Sequence, residues 1–325
     1  MEKKVSVIMP AYNAHAWVAN AVKNIQRQTY TNWELIIIND GSTDDTAEIC
    51  KKLASEDRRI RIWTQCNQGP GAARNFGLSH IAGDYFTIID CDDILYANAL
   101  EEYMRMAEKY NADMVIAGYK TVNMATGQMY HSSVPEEMLY QTQGIINTEQ
   151  TERLVQAGLM ASNWNKLYKA SLSHLRFRTD ISLNEDVIFS LAALAHSGVV
   201  AVSTAVLYEY RIQSHSSLSK KFHPEFPEAL EEMETQLLFG QKEKLREGLI
   251  TWLMNYLYTY LQYICLSDLP DSSKLKYMEV VVHTGLFEKY GTIRQADTLN
   301  RKIAVCMLKN HWYKLYMNII RAKRK

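Results

Sequence analysis

The residues best suited to chemistry are three aspartates that directly follow an apolar strand. The strand spans residues 85–89, and Asp90, Cys91, Asp92 and Asp93 come next. Carboxylates crowded at a strand end repel one another, which favours a bound cation, and their oxygen atoms suit Mg²⁺ or Mn²⁺. A divalent ion at the end of a strand in an open sheet is a usual way to present a phosphorylated ligand. The alternative for these four residues alone is an acidic turn or a helix cap.

Three other strand-like segments, at residues 5–9, 33–38 and 60–63, also run into polar loops. Tyr12, in the loop after the first segment, is placed to lie beside a nucleobase. Asp40, after the second segment, is placed to accept a hydrogen bond from a base N–H. Each loop alone is equally typical of an ordinary turn with a helix cap. Four such loops at successive strand ends predict a single ligand site.

The third loop, Gly69-Pro70-Gly71, is a glycine-rich turn that opens a helix. Its backbone could approach a ligand closely, and Arg74 in the helix could meet a phosphate. The loop is not a Walker loop, because no Gly-Lys-Ser/Thr follows, and it lacks the GxGxxG spacing of dinucleotide-binding folds. It therefore predicts nucleotide contact without assigning a known loop type.

Alternating strand and helix signals in the first third of the chain predict an α/β fold, with a mostly parallel sheet flanked by helices. From about residue 120 to 222 the pattern is mixed, with a helix near residues 186–195. Helical periodicity dominates from residue 225 onward. We therefore predict an α/β domain over residues 1–222, with a nucleotide half to about residue 105 and an acceptor half from 106 to 222. A C-terminal helical domain over residues 223–325 follows.

Composition excludes several classes of protein. Thirty-six basic and 36 acidic residues give a formal net charge of zero, which predicts no nucleic-acid partner. The five cysteines form no CxxC pair, which predicts a cytoplasmic protein without a disulfide framework. Residues 248–267 carry no charge, but they include four tyrosines and several amide and hydroxyl side chains, so we predict a buried or partner-facing helix rather than a membrane span.

The four loop motifs together resemble the inverting, nucleotide-sugar-dependent glycosyltransferases of family 2. The segments VSVIMPAYN, IIINDGSTDDT, NQGPGAARNFGL and GDYFTIIDCDD occur in the family's order and with similar spacing. Residues 163–168, 184–189 and 208–211 also resemble family segments, and the resemblance covers residues 4–218. It implies a GT-A fold that uses Mn²⁺ or Mg²⁺ to hold the donor, in enzymes typical of bacterial cell-surface polysaccharide synthesis.

The resemblance also implies residue roles. Asp40 would contact the base, Asp90 the ribose, and Asp92 the metal on the diphosphate. Asp186 matches the general base of the family, with Glu185 as its nearest rival, and Asp93 is an acid behind the site. The predicted nucleotide-sugar site comprises Pro10, Ala11, Tyr12, Asn13, Asp40, Gly71, Arg74, Asp90, Cys91 and Asp92.

His215 and Arg211 each allow two interpretations. His215 is either a further metal ligand, as in some relatives, or a surface-loop histidine. Arg211 is either a phosphate contact or a charge at a strand end. Both follow the segment Tyr208-Glu209-Tyr210.

The predicted reaction is transfer of a sugar, UDP-linked by resemblance, to a glycan or lipid-linked glycan. A divalent ion would disperse the charge left on the diphosphate, and one carboxylate would deprotonate the acceptor hydroxyl, which inverts the anomeric carbon. One alternative is a haloacid-dehalogenase-type phosphatase with Asp90 as nucleophile, although its motif normally follows the first strand. The other is an inactive nucleotide-sugar-binding subunit.

The last 25 residues, 301–325, contain eight lysines and arginines and no acid, interleaved with aromatic and aliphatic side chains. This pattern is typical of a helix that lies on an anionic membrane surface. The alternative is an amphipathic helix packed on its own domain with a solvated basic tail. The membrane interpretation predicts a peripheral location on the inner face of the cell membrane.

Overall fold

The computed structural model describes residues 2–141, 146–212, 222–240, 245–292 and 298–323. Ten strands form one sheet. They are β1 Val5–Ala11, β2 Trp33–Asp40, β3 Ile60–Gln65, β4 Tyr85–Ile88, β5 Ile94–Leu95, β6 Met114–Asn123, β7 Met129–Ser132, β8 Met138–Gln141, β9 Lys166–Lys169 and β10 Val199–Ile212.

Twelve α-helices surround the sheet in the described part of the chain. They are α1 Val18–Gln26, α2 Thr46–Glu56, α3 Pro70–Leu78, α4 Ala99–Tyr110, α5 Thr148–Gln156, α6 Glu185–His196, α7 Phe226–Leu237, α8 Glu247–Leu266, α9 Asp271–Val282, α10 Gly285–Tyr290, α11 Leu299–Lys309 and α12 Tyr313–Ala322.

The main path of the sheet has the strand order β3-β2-β1-β4-β9-β6-β10-β5, with β7 paired to β6 and β8 to β10. Pairing is parallel from β3 to β4, because each strand there is followed by a crossover helix. In the second half, β9, β7, β8 and β5 all pair antiparallel to their neighbours, and only β6 and β10 pair parallel. The α/β class and the parallel pairing of β1 to β4 are as predicted, and the sequence does not indicate the antiparallel strands that complete the sheet.

Strand β1 shows how the sequence builds this sheet. Its side chains alternate between two cores, because successive residues of a strand point to opposite faces. Val7 and Met9 join the core beneath α1 and α4, whereas Ile8 joins the core on the other face. The strand also continues past Pro10, where the sequence predicts its end. Pairing with β4 stops at Ile8, so no β4 partner needs the missing N–H of Pro10.

The C-terminal helices share a core with the sheet. One continuous apolar cluster runs from Ile8 in β1 through Phe189 in α6 and Phe226 in α7 to Met317 in α12. The predicted domain boundary near residue 223 lies between the end of β10 and the start of α7. Contacts of α7 with α6, and of α8 with α5, carry this core across the boundary.

Helix α8 coincides with the uncharged stretch that the sequence predicts to be a buried or partner-facing helix. Half of its twenty residues are buried, among them Leu249, Leu257 and Ile264. In the residues that the structure describes, no helix has the length and apolar character needed to cross a bilayer.

Candidate active site

The loops after β1 and β2 are joined by side-chain hydrogen bonds. Asn13 lies in the left-handed region with φ 48°, and its Oδ1 accepts from the backbone N–H of Thr43 at 2.9 Å. In return, the Asn13 backbone N–H donates to Ser42 Oγ at 3.0 Å. Tyr12 projects next to this junction with half of its surface exposed. Its ring is therefore free to stack on a base, while Pro10 and Ala11 lie beneath it on β1.

Asp40 fastens the glycine loop to the end of β2. Its carboxylate is buried and accepts hydrogen bonds from Gln65 Nε2 at 2.8 Å and from the backbone N–H groups of Gln68 at 3.0 Å and Gly69 at 2.9 Å. The neighbouring Gly41 has φ 69°, and a Cβ there would lie 2.7 Å from the Asn67 backbone nitrogen. Only glycine permits this close approach. Contact of Asp40 with a base remains a prediction.

Gly71 and Arg74 have surroundings that the sequence does not indicate. A Cβ on Gly71 would lie 3.1 Å from the carbonyl oxygen of Arg178, so this glycine admits the segment before α6, and its contact with a ligand remains a prediction. The Arg74 guanidinium is buried and donates to Glu185 Oε1 at 2.8 Å and to Asp90 Oδ1 at 3.3 Å. It therefore joins the end of β4 to the start of α6, and its contact with a phosphate remains a prediction.

The acidic loop after β4 contains three carboxylates, of which Asp90 is paired with Arg74, Asp93 is held by β10, and Asp92 is free. Asp93 is buried and accepts from the Tyr208 hydroxyl at 2.8 Å and from the Arg211 backbone N–H at 2.8 Å. Tyr208 also accepts from the Asp90 backbone N–H at 3.2 Å, so β10 holds the loop at two points. Asp92 is partly exposed and makes no hydrogen bond or ion pair with another residue in the described part of the chain.

The electrostatics of this loop favour a cation. Burial, followed by repulsion from Asp90, raises the pKa of Asp92. Burial and the charges of Asp90 and Asp92 raise the pKa of Asp93 well above its usual value. Cys91 is similar, because burial and Asp92 raise the pKa of its thiol and keep it protonated. Among the described residues, no lysine or arginine forms an ion pair with Asp92 itself.

Glu185 and Asp186 open α6, directly after Asn184, whose φ of 70° turns the chain into the helix. Glu185 is buried in its ion pair with Arg74, whereas Asp186 is partly exposed. Burial, and then repulsion from Glu185, raises the pKa of Asp186 to about 7, despite the opposing effect of Arg74. A carboxylate with a pKa near neutrality is well matched to take a proton from a hydroxyl.

The metal prediction rests on Asp92 alone in the described residues, because His215 lies outside them. Residues 2–141, 146–212, 222–240, 245–292 and 298–323 contain no cluster of three or more His, Cys, Asp or Glu that could hold a metal. Asp92 nevertheless fits a site completed by a diphosphate, because its carboxylate is free and repelled by its neighbours. A cavity of about 330 Å³ opens beside it, between Lys23, Arg27 and Arg211.

Comparison with known proteins decides the family. The family model described as glycosyl transferase family 2 matches residues 6–172. The chain belongs to this family. Glycosyltransferase GlyG of Streptococcus pneumoniae is 30% identical over 227 residues, which cover 68% of this chain and 75% of GlyG. Glycosyltransferase GlyA of the same species is 34% identical over 235 residues, 71% of this chain. This match spans only a third of GlyA.

Solved structures share the fold. The structure of Staphylococcus aureus TarS residues 1–349 in complex with UDP-GlcNAc has a TM-score of 0.73 at 16% identity, and the match covers 99% of this chain and 91% of TarS 1–349. A mannosyltransferase from Pyrobaculum calidifontis, solved with GDP-Man and Mn²⁺, has a TM-score of 0.54 at 14% identity over 94% of this chain and 87% of its own. The predicted fold class is confirmed. The match with TarS 1–349 also extends over the C-terminal helical region of this chain.

Membership in family 2 confirms the predicted class of enzyme, a glycosyltransferase, and removes the phosphatase interpretation of Asp90. In this family 2 glycosyltransferase, Asp90, Arg74, Glu185 and Asp186 lie together as one charged group.

Sequence reasoning missed the two groups that hold this site together. The first is the pairing of Arg74 with Glu185, and the second is the hydroxyl of Tyr208. Trp164 supports the second group, because its ring stacks on Tyr208 with a centroid distance of 4.3 Å. The segments that contain these residues resemble family motifs, and this resemblance was the one indication in the sequence that they matter. Their partners could not be identified, because they are more than 100 residues away in sequence.

Proposed function

We propose that this chain transfers a sugar from a nucleotide-diphosphate sugar, with UDP as the carrier, to a hydroxyl of a glycan or lipid-linked glycan. The observation that carries the proposal is the pair of Arg74 ion pairs, which join Asp90 in the loop that contains Asp92 to Glu185 beside Asp186 at the start of α6. Nucleotide sugars bound in the solved structures of TarS and of the mannosyltransferase support this type of donor. The family motifs support an acceptor in cell-surface polysaccharide synthesis.

In the proposed mechanism, Tyr12 stacks on the base, and Asp92 would be the residue that holds a divalent cation, Mn²⁺ or Mg²⁺. The ion would supply charge neutralisation as the sugar–phosphate bond breaks. The loops fixed by Asp40 and Asn13 keep the donor in one orientation, which lowers the entropic cost of reaching the transition state.

Asp186 takes the proton of the acceptor hydroxyl in this mechanism. Glu185 is unsuited to that role because its carboxylate is held by Arg74. Glu185 and Asp90 are held by Arg74, and Asp92 would hold the metal, so Asp186 acts as a single base, which favours one displacement and therefore inversion at the anomeric carbon. We place the reaction in the cytoplasm, in keeping with five cysteines that form no disulfide.

The deciding experiment is a thermal-shift panel of UDP, GDP, dTDP and CDP, each with Mn²⁺ and with EDTA. A ligand that binds only the folded state raises the melting temperature, by an amount equivalent to about 2.7 kcal/mol at a hundred times its dissociation constant. We expect stabilisation by UDP that requires the metal. The Asp92→Ala variant should lose the metal-dependent part, and Asp268→Ala, at an exposed position between α8 and α9, should keep it.

Absence of a shift with every nucleotide would contradict the donor site. A normal shift without donor hydrolysis or transfer would instead favour the inactive binding subunit. Stabilisation by UDP that is equal in EDTA and unchanged in Asp92→Ala would contradict the metal role of Asp92.

A further inference from the structure

Helices α11 and α12 expose an apolar and basic surface at the C-terminal end of the molecule. Four large apolar side chains on it are well exposed, Leu299 at 74%, Ile303 at 43%, Trp312 at 55% and Leu315 at 47%. Lys302, Lys309 and Lys314 lie between them and are also exposed. These seven residues are called the C-terminal surface below.

The exposure of this surface does not come from a loose tail. The opposite faces of the same helices are buried, with Val305 and Leu308 on α11 and Tyr316 and Met317 on α12 joining the continuous core. On α11 the exposed positions 299, 302, 303 and 309 follow helical spacing, which places them on one face. The sequence-based alternative of an amphipathic helix packed on its own domain therefore explains one side of these helices. The other side remains exposed.

Charge distinguishes this surface from an ordinary exposed patch. Residues 298–323 contain no acid. Lys302, Lys309 and Lys314 form no ion pair with the described residues, whereas Arg321 is paired with Asp271 at 2.5 Å. Beside Trp312 and Leu315 a depression of about 710 Å³ opens towards α9, with Leu275 and Lys276 on its wall. Glu279 is the one acid on that wall.

We propose that the C-terminal surface docks on an anionic lipid bilayer. Aliphatic and tryptophan side chains would enter the interfacial layer of the membrane while the lysines contact lipid phosphates. A protein partner fits less well, because protein interfaces are depleted in lysine at their centres and these lysines alternate with the apolar residues. The proposal goes beyond sugar transfer, and it would place a peripheral enzyme beside a lipid-linked acceptor.

The test is flotation of the full chain with vesicles of 30% phosphatidylglycerol and 70% phosphatidylcholine, compared with pure phosphatidylcholine. We expect binding to the anionic vesicles that weakens with salt. Because each lysine near the surface contributes about 1 kcal/mol, the triple change K302E/K309E/K314E should weaken partitioning by at least about a hundredfold. The matched control K51E/K52E/R58E makes the same change in net charge at exposed positions on and after α2.

A second pair of variants tests the apolar contribution. W312A/L315A should reduce partitioning about tenfold or more through lost apolar burial. M129A/Y130A removes two side chains that are each 57% exposed on β7 and should leave partitioning unchanged. Circular dichroism and the UDP-dependent thermal shift confirm that each variant is folded, and neither depends on lipid.

Several outcomes would overturn the proposal. These are equal binding to neutral vesicles, no binding to anionic ones, or the same loss in control and test variants. A change from dimer to monomer in W312A/L315A, without a change in flotation, would assign the surface to a second copy of the chain instead. Because donor binding is measured separately, failure here leaves the proposed reaction intact.

Discussion

The acidic loop after β4 and the start of α6 both bring carboxylates close together, and the two regions hold these repelling groups in place with different partners. The loop places three carboxylates close together and the helix start places two, and each leaves one of them free of an ion pair or hydrogen bond to another described side chain. In the loop, Asp93 is fixed by the Tyr208 hydroxyl and a backbone N–H, and Asp92 is free. At α6, Glu185 is fixed by a full ion pair with Arg74, and Asp186 is free. The comparison indicates that the fixed acid has a structural role and its neighbour a chemical one.

The largest expected effect separates Asp186 from Glu185. Asp186→Asn should bind UDP and Mn²⁺ normally but lower kcat by about 10²–10⁴-fold, the usual contribution of a general base. Glu185→Gln keeps an oxygen that accepts from Arg74 and should lower kcat by less than about tenfold, because it weakens only a charge-assisted hydrogen bond. Steady-state transfer assays measure both. The reverse order would move the base to Glu185.

The pH dependence sharpens the same prediction. With its pKa raised to about 7, Asp186 is the active base only when deprotonated, so kcat should rise with pH below about 7 and level off above it. Asp186→Asn should lose this rise. Because burial raises the pKa of Asp186 in the folded chain, this carboxyl lowers stability progressively as pH rises from its unfolded pKa of about 4 to about 7, and the full loss persists above 7. The melting temperature of Asp186→Asn should therefore exceed that of wild type at pH 8 and approach it near pH 4.

Arg74→Met should have the next largest effect. It leaves Glu185 buried without a partner and removes the contact with Asp90, and breaking a buried ion pair typically costs about 3–5 kcal/mol. Urea denaturation measures the loss. Because the penalty comes from the stranded acid, the double change R74M/E185Q should recover part of it. Arg58→Met, at an exposed position, serves as the control, and a loss as large there would contradict the prediction.

Tyr208→Phe should have the smallest effect. It removes the hydroxyl that donates to Asp93 and accepts from the Asp90 backbone N–H, and an unsatisfied buried group costs about 1–3 kcal/mol. Tyr210→Phe is the matched control in the same strand, since the Tyr210 hydroxyl makes no hydrogen bond with the described residues. We expect Tyr208→Phe also to weaken metal-dependent UDP binding in calorimetry. Equal stability and equal UDP binding of the two variants would show that the Tyr208 hydroxyl is not needed to hold Asp93 in place.

Local patterns in the sequence predicted much of this architecture. Apolar runs ending in Asp40 and Asp90 located two central strands, because buried parallel strands are continuous apolar segments. The helix at Asp186 was found from its periodicity to within a few residues. These features depend on neighbours in sequence, where composition carries the signal.

The remaining features depend on partners far away in sequence. Nothing near Arg74 reveals that Glu185, 111 residues later, will hold its guanidinium. The same applies to Gly71, where a residue without a side chain is needed because the backbone of Arg178 lies close to it. The antiparallel strands β7, β8 and β9 are four residues each, too short for a clear alternation. Such features follow from tertiary packing, which a single sequence does not display.

The continuous core from β1 to α12 also limits how this protein can be recombined. A chain assembled from residues 1–222 of this enzyme and the C-terminal helices of a relative would join at a natural loop but cut through shared packing between α6 and α7. Mismatched volumes there leave cavities or overlaps that destabilise by several kcal/mol in total. We therefore expect that an exchange of the C-terminal helices must carry α5 and α6 with the helices they face.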